Sequence, residues 1–441
     1  MDNKFRFLLL PLILTMLAAP CFSRLLFDGE PSVRVRIIKT TAAIHVIPNR
    51  DWQIKKDGVL SDAGPGRQIS LSARDGRLLL ENGQGLISTT GDSLIFRAKT
   101  DSATLLIKDV PYGVGWWWEG KEDRIYEGVI AFYAAGTDSI EAVVMLPLEK
   151  YLLGVVPYEI GGDSPLEALK AQAVAARSEA VMALRSGLYS GPHHDLTADV
   201  ECQVFSGNHK RTAASDRAVR ETSNLILWEK DTPIHAYYAS NCGGHSELIQ
   251  NVWPERPRPQ SYQLALTDDS TRPATDLSSE SAVREWIEAS PAVFCNPSVH
   301  PGLPPWSRKN FRWRRAYLIK ELTPKIDTTG NKGMLTGIKA LERGPSGRIY
   351  RARFVFENDS IEVNGELDIR MMWRPALRSA CFYVQKTDSS FVLNGAGWGH
   401  GVGMCQSGAV AQALMGRDFR TILKHYYQAA TIVKAYENIA R

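Results

Sequence analysis

The chain has 441 residues, 44% of them hydrophobic and 23% charged, and its 52 Lys+Arg against 48 Asp+Glu leave a net charge of +4. That apolar fraction belongs to a globular protein, excludes disordered, fibrous and disulfide-dense classes, and supplies core for two or three domains or for one with large insertions. No run of five Lys/Arg marks a nucleic acid or a lipid surface as partner.

The chain opens with Lys4 and Arg6, an apolar run over 7–19 and the small-residue segment APCFS at 19–23. This is the layout of a signal peptide occupying 1–23, with an apolar stretch too short to span a bilayer comfortably, and it predicts export to the periplasm or cell envelope. The alternatives are an uncleaved anchor or a lipoprotein at Cys21, although Pro20 and Ala18 make a poor lipidation box. No later segment holds 18 consecutive apolar residues, so the mature chain is expected to be soluble. Cleavage leaves Cys202, Cys242, Cys295, Cys381 and Cys405 and no C-x-x-C. In an exported protein this odd set predicts one or two disulfides and at least one free or metal-bound thiol.

Residues 24–146 read as a β-rich N-terminal part. Alternating runs such as VRVRII (33–38), QISLSA (68–73) and SIEAVVML (139–146) are separated by turn signals, among them Asp57-Gly58 and Asp75-Gly76. The run Trp116-Trp117-Trp118 is read as strand, which sends neighbouring rings to opposite faces and exposes at least one. It is either core with an edge contact or a sugar-stacking platform.

Residues 147–435 have a different character. Ser164-Pro165-Leu166-Glu167 reads as a capping box that opens a helix ending at Gly187. Leu166, Ala173, Val174, Ala180, Val181 and Leu184 fall on one face, with Lys170 and Arg177 in its middle. Charges on a core stripe are either ion-paired or line a polar cleft, because burying one alone costs several kcal/mol. PIHAYYAS (233–240) reads as strand. An irregular insertion at about 255–300 contains a short helix, SAVREWIEA (281–289). Strands GRIYRARFVFE (347–357) and SIEVNGEL (360–367) precede the glycine-rich NGAGWGHGVGMCQSGA (394–409) and two helical patterns, AVAQALMG and RTILKHYYQAA. The predicted class is α+β: a β-rich N-terminal part followed by a mixed α/β catalytic body with a cleft.

The glycines at 395, 397, 399, 401, 403 and 408 never form G-x-G-x-x-G, and no Gly-Lys-Ser/Thr follows. The segment instead reads as a ligand-facing loop around Trp398, His400, Met404, Cys405 and Gln406. Cys405 with His400 is the local candidate for a thiol nucleophile and its base. His193, His194 and Cys202, or Cys242 with His245, are residue types that suit zinc, although their spacing matches no standard finger. Glu159 follows apolar residues in VMLPLEKYLLGVVPYEI (144–160). From this stretch alone it is either a solvent-exposed carboxylate or a partly desolvated one suited to general-acid work.

Taken in order, PLEKYLLGVVPYEI, SPLEALKAQAVAARSEA, CQVFSG (202–207), AYYASNCGGHSE, NVW (251–253), GPSGR (344–348), LRSACF (377–382) and GWGHGVGMCQSGA resemble the stage II sporulation protein D family, the SpoIID/LytB group of peptidoglycan-active proteins. The resemblance covers about residues 33–435. It implies a lytic transglycosylase acting on bacterial cell-wall glycan, or in the amidase-enhancer branch a modifier that grips the wall and acts on a cell-wall amidase. It assigns the catalytic glutamate to Glu159 and matches Lys170 and Arg177 on the following helix. The candidate substrate contacts are Lys170, Arg177, Gln203, Trp398, His400 and Gln406. The match departs where Ile160-Gly161-Gly162 replaces a proline that often follows the glutamate. It departs again where some members bind zinc before CQ: here His194 and Cys202 remain, with Leu196, Thr197 and Glu201 between. The expected activity requires no cofactor, and zinc at His194 and Cys202 is the one metal the resemblance raises. The resemblance also suggests a Cys242–Cys295 disulfide.

A hydrolytic glycosidase typically uses two carboxylates, whereas a lytic transglycosylase needs one, because the muramic acid C6 hydroxyl takes the place of water. A cation beside Glu159 would lower its pKa and disfavour the acid form. Lys170 and Arg177 are therefore expected to hold the lactyl carboxylate of the substrate or a structural acid, and not Glu159.

Overall fold

The computed structural model describes residues 26–437 except 57–58, 83–84, 89–91, 101, 263 and 270–274. The expected signal segment 1–23 and the Asp57-Gly58 turn lie outside the described residues. The fold is α+β with a β-rich N-terminal part.

Two sheets make up that part. One has seven strands in the order Leu196–Thr197, Ser32–Thr40, Ile140–Pro147, Val129–Ala134, Ser93–Ala98, Trp52–Lys56 and Val59–Ala63. The other has six, in the order Gly120–Tyr126, Leu105–Tyr112, Ile44–Pro48, Ile69–Arg74, Arg77–Asn82 and Gly85–Ser88. Alternation puts Val33, Val35, Ile44, Val46, Leu71 and Ile107 into the shared core while their neighbours face out. The Asp75-Gly76 turn joins its two strands with φ of 53° and 71°, the paired positive values a two-residue type I′ hairpin requires. The tryptophan run is not strand. Trp116, Trp117 and Trp118 form the turn between Leu105–Tyr112 and Gly120–Tyr126, where Trp116 N–H donates to Gly113 O and bends the backbone out of the ladder.

Two helices follow, α1 (Leu148–Ile160) and α2 (Leu166–Ser186). The capping box expected at Ser164 does not form. Pro165 is the N-cap, the Ser164 hydroxyl donates to the Ile160 carbonyl at the end of α1, and Glu167 accepts from Lys170 and from the Phe419 N–H. Gly187 does end α2, in the left-handed conformation at φ 67°. Nor is α2 a one-faced surface helix. Ala168, Leu169, Ala173, Ala176, Ala180 and Val181 enter the core shared with the N-terminal sheets, and Ala171, Val174 and Ala175 enter a second core with Leu227, Tyr237, Val402, Met404 and Ala409. Its alanines let both layers approach closely, which is why the helix is buried on more than the one face its projection marked. Helix α3 (Ala213–Glu221) carries a capping box the sequence reading did not identify, with Thr212 and Ser215 exchanging side-chain and backbone bonds.

In the rest of the chain, strands Arg312–Leu318, Ser390–Ala396 and Phe382–Lys386 form one small sheet, and Leu335–Arg343, Ile349–Phe356 and Ser360–Asn364 another. Both line a third core around Trp373 and Phe382. The insertion holds the predicted helix as Glu280–Ala289, capped by the Ser279 hydroxyl. Within PIHAYYAS only Pro233, the end of strand Thr232–Pro233, and Tyr238–Ala239 are strand. The second of these pairs in parallel with Met404–Cys405, and Asn241 bridges Trp398, so the glycine-rich loop lies along residues 237–241. Among the described residues no helix is long and apolar enough to cross a membrane.

Candidate functional site

Glu159 occupies the last turn of α1. Its position follows from a close approach: a Cβ on Gly154 would stand 2.6 Å from the Phe205 ring and 2.7 Å from the Gly207 carbonyl oxygen. The glycine thereby admits the loop of the CQVFSG motif against the helix, and Ser206 donates both its N–H and its hydroxyl to the Gly154 carbonyl. So placed, the loop offers the Val204 N–H to Glu159 Oε1 at 2.8 Å. Gln406 Nε2 reaches Oε2 at 3.5 Å and Gln172 Oε1 at 3.2 Å. Burial pushes the Glu159 carboxyl up to about 7, with the nearby charge of Asp199 adding to the rise, against the lowering effect of the bonds from Val204 and Gln406. Glu159 is half-buried and is therefore the partly desolvated carboxyl, not the solvent-exposed one.

Gln203 is 1% exposed, so it supports the site from beneath and does not contact substrate. Its Oε1 accepts from the Tyr238 hydroxyl at 2.6 Å, and its amide reaches the Tyr151 hydroxyl and the Ala176 carbonyl at 3.4 and 3.3 Å. These bonds fix the backbone one residue before the Val204 N–H.

Lys170 and Arg177 take up the structural-acid role and not the cleft-lining one. Lys170 Nζ lies 2.8 Å from both Glu167 and Glu221. Arg177 is fully buried and closes a two-pronged pair on Glu149, with Nε and Nη2 at 2.7 and 2.8 Å from the two carboxylate oxygens. The Leu225 carbonyl accepts from its remaining edge at 3.0 Å. Such complete satisfaction is what allows a guanidinium on a core face.

The glycine-rich loop brings Trp398 and Gln406 to this region. Trp398 meets Trp117 and Trp118 with ring centroids 5.3 and 4.9 Å apart, and Trp116 stacks on Trp118 at 5.1 Å. Arg370 and Arg378 cover Trp116 and Trp117 at 4.6 and 4.8 Å. Trp117 keeps 39% of its surface exposed. The turn carrying these rings is tied to the loop over residues 199–207 by Asp199, whose carboxylate accepts from the N–H groups of Gly113, Val114 and Val200. Asp199, Gly154, Tyr151, Tyr238 and the Val204 N–H are site components the sequence reading missed. A glycine inside an apolar helical pattern was the one available signal.

His400 is held as the neutral tautomer. Nδ1 accepts from Val402 N–H at 3.1 Å, which leaves Nε2 to donate to the Tyr238 carbonyl at 3.0 Å. Burial and the charges of Arg348 and Arg370 lower its pKa to about 3. With both nitrogens engaged it forms no base for Cys405, and the thiol-nucleophile reading fails on geometry. Its ring packs on Trp253 at 4.7 Å.

Two cysteine expectations also change. Cys242 and Cys295 are adjacent, but their sulfurs are 3.7 Å apart and both are free thiols, whereas a disulfide requires about 2.05 Å. Cys202, Cys381 and Cys405 are free thiols as well. His194 and Cys202 belong to no group of three or more metal-ligating side chains among the described residues. They do not fit a zinc site.

The family model described as stage II sporulation protein covers residues 136–228, which includes α1, α2 and Glu159, and a domain of unknown function (DUF8618) covers 247–403. The chain is 29% identical over 300 residues to an uncharacterized protein of Brachyspira hyodysenteriae, covering 67% of this chain and 69% of that one. It is 26% identical to a stage II sporulation protein D of Bacillus amyloliquefaciens, over 72% of this chain and 83% of the relative. It is also 27% identical to the amidase enhancer of Bacillus subtilis over 83% of its own length, while spanning only 50% of that protein. The chain thus carries, at residues 136–228, a domain that matches the stage II sporulation protein family model, and it is similar over most of its length to stage II sporulation protein D.

Proposed function

We propose that this chain is an exported lytic transglycosylase of peptidoglycan glycan strands, with Glu159 as its one general acid and base. The observation that carries this reading is a half-buried carboxyl, pushed up to about 7 by burial, near a second carboxylate, Asp199, already engaged by three backbone N–H groups. One free carboxyl suits intramolecular attack better than hydrolysis, which typically uses two. Oε1 accepts the short bond from Val204, so Oε2, with one partner at 3.5 Å, is the oxygen that carries the proton. In this mechanism Oε2–H protonates the glycosidic oxygen as the C1–O bond breaks. The muramic acid C6 hydroxyl then attacks C1 and returns its proton to the Glu159 carboxylate, giving a 1,6-anhydro end and restoring the acid. The tryptophan cluster around Trp398 supplies sugar-stacking surface.

A second reading, an amidase-enhancer-like protein that grips wall glycan without cutting it, is favoured by the exposed Trp117 and by the similarity to the amidase enhancer. Product analysis decides between them. Purified glycan incubated with the protein, before and after removal of stem peptides, yields anhydromuramic ends under the first reading and unaltered strands under the second.

A further inference from the structure

Away from Glu159, three thiols and one carboxylate converge from distant parts of the chain. The ligand atoms of Cys242, Asp268, Cys295 and Cys405 all lie within 4.8 Å of one another, and all four residues are buried. We propose that these four side chains form a closed structural zinc site, a function independent of the reading of Glu159.

Tetrahedral zinc with Zn–S bonds of about 2.3 Å sets neighbouring sulfurs about 3.8 Å apart. Cys242 and Cys295 stand at 3.7 Å. The surroundings point to thiolate ligands: peptide N–H groups aim at the sulfurs, Cys242 N at Cys405 Sγ (3.2 Å), Gly244 N at Cys242 Sγ (3.4 Å) and Gly408 N at Cys405 Sγ (3.4 Å). Asp268 is oriented in the way supporting bonds fix a metal ligand, accepting from Cys295 N–H on Oδ2 at 3.1 Å and from the Tyr426 hydroxyl on Oδ1 at 2.8 Å. Three thiolates and a carboxylate suit Zn²⁺ over the hard cations, and four protein ligands leave no position for substrate.

The site joins the bridge strand end at Cys242, the insertion at Asp268 and Cys295, and the glycine-rich loop at Cys405. Cys405 is also the N-cap of helix Gln406–Leu414, and the next residue, Gln406, reaches Glu159. The metal thus acts as a clamp on the start of helix Gln406–Leu414 and the loop that precedes it.

Metal analysis of the full chain purified from zinc-supplemented cells tests this. The expected result is one zinc per chain, lost by at least tenfold in Cys405→Ser and Cys295→Ser and retained in Cys202→Ser and Cys381→Ser. Should the ligand variants not fold, wild-type protein loaded with cobalt is expected to show thiolate-to-metal charge-transfer bands, and zinc X-ray absorption to fit three sulfurs and one oxygen. Wild-type protein without metal, a Cys242–Cys295 disulfide in non-reducing peptide maps, or zinc that disappears with Cys202→Ser would each overturn the proposal.

Discussion

At the scale of single residues, Glu159 is held in a costly state. A carboxyl raised to about 7 binds its proton more tightly folded than unfolded, so its contribution favours folding at low pH and is lost as the pH rises from about 4.5 to about 7. Over that window the loss is on the order of 3 kcal/mol. Glu159→Gln keeps an acceptor for Val204 and removes the titration. It is expected to reduce release of anhydro products by about 10²-fold or more while glycan binding persists. The same variant is expected to melt higher than wild type at pH 8, with the difference vanishing at pH 4.5. Wild-type turnover is expected to fall above about pH 7, where the acid form is depleted. A pH-independent rate with equal melting temperatures would remove the assignment. Glu159 was legible as a candidate from its apolar neighbours. The Val204 N–H was not, because every residue carries that group and only the fold aims it.

Among the elements, α1 and α2 work through close contacts that a charge or hydrophobicity pattern does not reveal. Gly154 lets the 204–207 loop touch α1, so Gly154→Ala is expected to push the loop away and lower both activity and stability, the latter by about 1–3 kcal/mol for an overpacked contact. Unchanged turnover and melting would mean the loop relaxes freely. The Arg177–Glu149 pair ties α2 to α1, and Glu149 also accepts from Asn224 N–H and the Tyr436 hydroxyl. Burial alone would raise the Glu149 pKa, but Arg177 and these donors hold it below the usual carboxylate range. Its stabilisation is therefore complete above the unfolded pKa and is lost as the pH falls through the lower folded value. Glu149→Ala strands a buried guanidinium and is expected to cost about 3–5 kcal/mol by denaturant unfolding. A cost below about 1 kcal/mol would show that the pair contributes little. The helical projection placed Arg177 on a core face correctly. It could not identify Glu149, which lies 28 residues earlier on another helix.

Over the whole molecule, the change from strand to helix near residue 147 does not divide the core. One apolar cluster runs from Val33 and Val46 in the sheets through Leu152 and Val155 of α1 to Tyr436 near the end of the described chain. The last strand, Thr431–Lys434, pairs with Leu225–Glu229, and Leu26 N–H donates to the Ala435 carbonyl. Truncation after residue 430 is therefore expected to lower the melting temperature of the N-terminal sheets and the helical body together, in one calorimetric transition. Loss of stability confined to the C-terminal sheets would contradict a shared core.

Local pattern was enough for the alternating strands, the Asp75-Gly76 hairpin, the Gly187 stop and the insertion helix, because each depends on neighbours two to four positions away. It failed where partners come from elsewhere: Ser164 caps nothing because the Ile160 carbonyl claims its hydroxyl, and Trp116–Trp118 turn out of the sheet against Trp398. The sequence by itself determined the fold class and drew attention to Glu159. Tertiary structure alone decided which acids neutralise Lys170 and Arg177, and it alone gathered Cys242, Asp268, Cys295 and Cys405. The reason is physical: burial, charge pairing and ligand geometry depend on distances between segments that spacing along the chain does not encode.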